Sequence, residues 1–112
     1  MKDSHLLFPF RAAHQGALRR IQKFGMSALT PDDVDALVAI AGRTSPSGAV
    51  VQAETYLALH QPDLYRDQML ALLIARATRW LAVIRRDEGE EAFRRAAQEW
   101  RKEVDNDRRR ST

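Results

Sequence analysis

The sequence predicts an all-α fold, a compact bundle of four or five helices with one long, highly apolar central helix. Two observations carry that expectation. Apolar residues recur at helical spacing nearly throughout, and no run alternates with period two as a half-buried strand would. Residues 69–84 are too apolar for an ordinary surface helix, yet Arg76 and Arg79 lie inside them and the run falls short of a bilayer span of about 20 residues. Such a helix needs cover on most sides, from its neighbours or from a second chain.

The elements follow in order. Phe10, Ala13, Ala17, Ile21 and Phe24 share one face of a first helix over about 9–24, and Gly25 is a natural stop. Thr30 reads as an N-cap, with Pro31 at the first helical position and Asp32 and Asp33 in the first turn. This second helix turns Val34, Leu37, Val38 and Ala41 inward and ends at Gly42. Ser45-Pro46 repeats the start for a third helix, with Val50, Ala53 and Leu57 inward. His60-Gln61-Pro62-Asp63 breaks it, and Pro62 opens a long fourth helix to about Arg86. Asp87 and Glu90 have capping-box spacing for a fifth helix to about Asp107, although Gly89 could also sit within one continuous helix. Its inward stripe is Phe93, Ala97, Trp100 and Val104, and Glu90 with Arg94 and Glu91 with Arg95 stand at the favourable i,i+4 spacing outside.

The length of 112 residues suits a single helical domain over 1–112, with an N-terminal arm over 1–8 and a frayed tail over 108–112. There is no cysteine, so disulfides and thiolate metal sites are excluded. The N-terminus does not read as a signal peptide, because its apolar stretch is short, interrupted by Pro9 and followed by Arg11. A cytoplasmic protein without a membrane segment is expected. The net charge of +3 is uneven: residues 1–25 are basic, 26–63 acidic, 64–87 basic again and 88–112 balanced. Arginine outnumbers lysine fifteen to three, which fits GC-rich coding or a preference for the bidentate contacts of interfaces.

On the fourth helix, Leu70, Leu73, Ile74, Ala77, Trp80, Leu81 and Ile84 form a wide apolar arc. Ala71, Ala75, Thr78 and Ala82 form a small-residue arc open to close approach. Tyr65, Met69, Leu72, Arg76, Arg79 and Val83 remain, spaced 4, 3, 4, 3, 4 as in a heptad seam. One reading is a solvated face with Arg stems lying over a few apolar side chains. The other is a partner seam, since aromatic residues, Met and Arg are enriched at interfaces. Leu6, Leu7, Phe8 and Phe10 form a second apolar cluster, placed to dock on the chain's own core or on a partner.

No catalytic, metal or cofactor chemistry is legible. His5, His14 and His60 lack metal-ligand spacing, and His60 suits the C-terminal end of a helix dipole. Ser45 is explained as a cap, and the glycines are too scattered for a phosphate loop. A helix-turn-helix built from the second and third helices would present a recognition helix with no base and only Gln52 to read base edges. The basic first helix and the tail support, as the alternative, a small nucleic-acid-associated regulator. Over its whole length, in being a short cysteine-free Arg/Ala-rich chain with the 6–10 arm and the apolar 69–84 helix, the protein resembles the small helical anti-activators of bacteria, in particular the QslA type. That group has no short motif, so no single residue role carries over. The resemblance implies a non-enzymatic protein that binds a transcription regulator, such as a LuxR-family quorum-sensing receptor, through helix faces. A homodimer is expected as well, because the fourth helix has more apolar circumference than short neighbours cover.

Overall fold

The computed structural model describes residues 28–111, with side chains to residue 109. Among them the chain is all helix and turn, with no strand. Its helices are α1 (Pro31–Arg43), α2 (Pro46–His60), α3 (Pro62–Arg66), α4 (Gln68–Glu88) and α5 (Glu90–Ser111). The arm at Leu6, Leu7, Phe8 and Phe10 and the expected first helix over 9–24 lie outside the described residues.

Each start follows from local chemistry. The Thr30 hydroxyl accepts from the Asp33 N–H at 3.1 Å, and the Asp33 carboxylate accepts from the Thr30 N–H at 3.0 Å. Two of the orphan donors at the helix start are thereby satisfied reciprocally. Ser45 caps α2 by accepting from the Gly48 N–H at 3.2 Å, with Pro46 at the first helical position. The sequence expected both starts, though not the reach of Asp33 back to Thr30.

The region read as one helix from Pro62 to about Arg86 is two. α3 stops at Arg66, and Asp67, in extended backbone, caps α4 by accepting from the Leu70 N–H at 3.2 Å. An aspartate that can serve as a cap competes with helix continuation, and here the cap wins. At the far end α4 runs to Glu88, and Gly89 takes φ 102 and ψ 174. That region is accessible essentially to glycine alone, so Gly89 is a true break and Asp87 lies inside α4 instead of capping α5. The chain past 108 also differs from a frayed tail: α5 continues to Ser111, and the Arg108 guanidinium donates to the Leu29 carbonyl at 3.2 Å.

α4 packs against each of the other four helices. Its apolar arc is buried, and so is its small-residue arc, with Ala75 and Thr78 at zero exposure. The Thr78 hydroxyl is satisfied by the Ile74 carbonyl at 2.9 Å, which makes a buried threonine tolerable. Leu29, Val34, Leu37 and Ala41 close the core from α1 and the residues just before it, Ala49, Ala53 and Leu57 from α2, and Phe93, Trp100 and Val104 from α5. Val38, Val50 and Ala97, expected inward, are only half-buried, while Ile40, Ala49 and Ala96 take fully buried places. Gly42 does not end its helix. It packs beside the Phe93 ring of α5, where a Cβ would stand in ordinary contact at 3.4 Å from Phe93 Cζ.

The outer pairs expected on α5 do not form. Among the described residues that helix instead pairs Arg101 with Asp35 of α1 at 2.9 Å and Arg109 with Asp105 at 3.2 Å. Such exposed pairs are worth at most about 1 kcal/mol each.

Candidate partner interface

Two places on the molecule break the rule that apolar groups go in and polar groups out. The first is a polar knot joining the start of α1 to the end of α2. Asp33 is 4% exposed. Besides the Thr30 N–H, its carboxylate accepts from the Tyr56 hydroxyl at 2.6 Å and from the Gln61 side-chain amide at 3.0 Å. Burial pushes the carboxyl pKa up, but the bonds from Tyr56, the Thr30 backbone, Gln61 and the Thr30 side chain outweigh it, leaving it below the ordinary value. Burial and the facing Asp33 push Tyr56 up to about 12. The His60 ring lies 4.7 Å from the Tyr56 ring, tilted by 35°. His60 does sit in the last turn of α2, but its ring contact is with Tyr56. Both carboxylate oxygens accept, one from Tyr56 and the other from Thr30 and Gln61, so the knot has the character of a structural latch.

The second place is the reverse: large apolar side chains left in solvent. Met69 is 60% exposed, Leu72 and Tyr65 47% each, Val51 64% and Leu59 72%. Met69 and Leu72 continue along α4 into Arg76 and Arg79, both exposed. These four positions fall within one stripe of the helix surface at about 100° per residue. Tyr65 joins them from α3, across the Asp67 break.

Val83 does not belong to this exposed strip. It is 7% exposed, although heptad spacing aligns it with Arg76 and Arg79. Residues 81–84 are four consecutive buried positions, so α4 is enclosed around its whole circumference there. The strip therefore ends at Arg79, and five of the six seam residues remain on the surface.

Beside the strip lies a groove of about 490 Å³, lined by Glu54 of α2, Tyr65 and Arg66 of α3, and Gln68, Ala71 and Leu72 of α4. Arg66 is already tied to Asp63 at 3.2 Å. Glu54 makes no ion pair among the described residues. Val51 stands one turn before Glu54 on α2, and Leu59 lies near the same helix's end. The sequence reading did not single out these three. The one signal for Val51 was its neighbour: adjacent residues of a helix cannot both point into a core on one side.

Among the described residues no three His, Asp or Glu side chains converge as metal ligands. No helix there is long and apolar enough to cross a membrane. No family model matches this chain, and neither a curated protein nor a solved structure is similar to it.

Proposed function

We propose that the protein is a non-enzymatic interaction module that binds and inhibits another protein, using Tyr65, Met69, Leu72, Arg76 and Arg79 as its contact strip. In this reading α4 is the long, highly apolar central helix of the bundle, and its one uncovered stripe is the working surface. The observation that carries the reading is the exposure of Tyr65, Met69 and Leu72 in line with two exposed arginines, beside a groove, on a molecule whose other α4 aliphatics are buried. Exposed aromatic, Met and Arg side chains grouped on one face have the composition of an interface. The anti-activator likeness specifies the inhibited protein as a transcription regulator of the LuxR family, acting in the cytoplasm. The same reading makes the chain a homodimer.

The test is copurification of the chain with the LuxR-family regulators of its own host, together with a reporter for the promoters they activate. The wild type should bind a regulator and lower its reporter. Arg76→Glu with Arg79→Glu should abolish both, with the helical CD signal and thermal midpoint nearly unchanged. A folded double variant that still binds and represses at full strength would remove the strip from the interface and leave Leu6, Leu7, Phe8 and Phe10 as the remaining contact. Salt-resistant, sequence-selective DNA retention by the purified chain would replace this reading with the nucleic-acid one.

A further inference from the structure

We propose that the groove between α2, α3 and α4 receives an arginine from a second copy of this chain, and that two copies pair antiparallel along the α4 strip. The proposal rests on the interaction reading above: two free copies pair through the same strip, and a bound regulator takes the place of one copy.

The groove has the chemistry of a guanidinium acceptor. Its single acid, Glu54, makes no ion pair among the described residues, and Tyr65 lines the same space. A carboxylate takes a guanidinium bidentately, and an aromatic face takes its cation. The groove's own base does not fill that role, because Arg66 is held by Asp63. The matching donors lie on the same strip. Arg76 and Arg79 are exposed, and neither has an acid within ion-pair distance among the described residues.

A surface with the acceptor at one end, donors at the other and apolar side chains between is complementary to itself under a two-fold axis. With Leu72 on the axis, antiparallel α4 helices bring Arg76 opposite Gln68, a lining residue of the partner copy's groove, and carry Arg79 past the start of the partner copy's α4 toward its α3. At about 1.5 Å per residue, Arg79 lies about 10 Å from the axis. Met69 and Leu72 of both copies then cover one another. A uniformly acidic partner would bring like charge to Glu54, and a uniformly basic one would bring it to Arg76 and Arg79. The strip's two-sign pattern therefore favours its own kind.

Sedimentation of the purified chain alone tests the arrangement. The wild type should dimerise reversibly. Glu54→Arg and Arg79→Glu should each raise the dimer dissociation constant by about tenfold or more, and the two combined in one chain should recover most of the loss, because each end of the pair then carries the opposite sign. A monomeric wild type, single variants that dimerise normally, or a double variant weaker than either single would overturn the proposal. A second measurement does not depend on charge. The chain has no cysteine, so Leu72→Cys places one thiol at the axis and Ser47→Cys places one on an exposed site away from the strip. Under mild oxidation Leu72→Cys should cross-link to itself far faster than Ser47→Cys; equal rates would also overturn the proposal. Regulator binding is read on host proteins and self-pairing on the pure chain, so either reading can fail while the other stands.

Discussion

The Asp33 knot and the α4 strip are opposite departures from simple burial, and they have opposite meanings. Asp33 is a charged group taken out of water, yet its carboxylate is met by Tyr56, Gln61 and Thr30. A buried charge so fully bonded costs little to keep and much to disturb. Met69 and Leu72 are apolar groups that no described residue covers. They contribute little to folding and cost little to change. The satisfied departure holds the fold together, and the unsatisfied one is the surface on which the proposed association rests.

The largest expected effect lies at the knot. Asp33→Ala removes the carboxylate half of the α1 capping box and leaves Tyr56 and Gln61 without their acceptor, and should cost about 3 kcal/mol in urea unfolding. Regulator binding measured where the variant is still folded should be unchanged. An equal loss of binding and stability would merge the two regions that are distinguished here.

Tyr56→Phe is the milder break, at about 1.5 kcal/mol, because the carboxylate keeps its other donors. The knot also predicts two pH limits. Asp33 has a depressed folded-state pKa, so its contribution is fully present above the ordinary carboxyl value near 4 and is lost as pH falls through the lower folded value. Tyr56 is raised from 10.0 to about 12, so its contribution is present below pH 10 and disappears across that interval. Unfolding free energies of wild type and Tyr56→Phe should converge above that range. A constant gap between them up to the alkaline end would remove the phenol–carboxylate bond as the cause.

The smallest effect is expected on the strip. Met69→Ser with Leu72→Ser should change stability by no more than about 0.5 kcal/mol, while raising solubility and weakening any association. A loss of several kcal/mol at concentrations where the chain is monomeric would show that these side chains belong with the core.

The helix starts were legible because Thr30-Pro31 and Ser45-Pro46 are local signals, complete within four residues. The buried arcs of α4 were legible for a similar reason, since 3.6-residue spacing alone aligns them. The knot was not. Asp33 reads locally as a first-turn acid, and its partners Tyr56 and Gln61 stand 23 and 28 residues away. The seam was legible in part. Spacing correctly groups Met69, Leu72, Arg76 and Arg79, but it cannot tell that α4 becomes enclosed at 81–84, so Val83 was assigned to the wrong environment. Glu54 lies on another helix, and only tertiary packing brings it to Tyr65 and Leu72.

The Asp67 break has a consequence for how this surface can change over generations. In one unbroken helix, inserting or deleting a residue before Met69 would turn everything on one side of the change by about 100° relative to the other. Here α3 and α4 meet at a capped joint. A change in length at that joint can be absorbed there, as loops absorb insertions. Tyr65 and Arg66 can then be moved or exchanged while Met69, Leu72, Arg76 and Arg79 keep their alignment on the core. Such a molecule can alter whom it recognises at one end of its strip without refolding the helix that carries the rest.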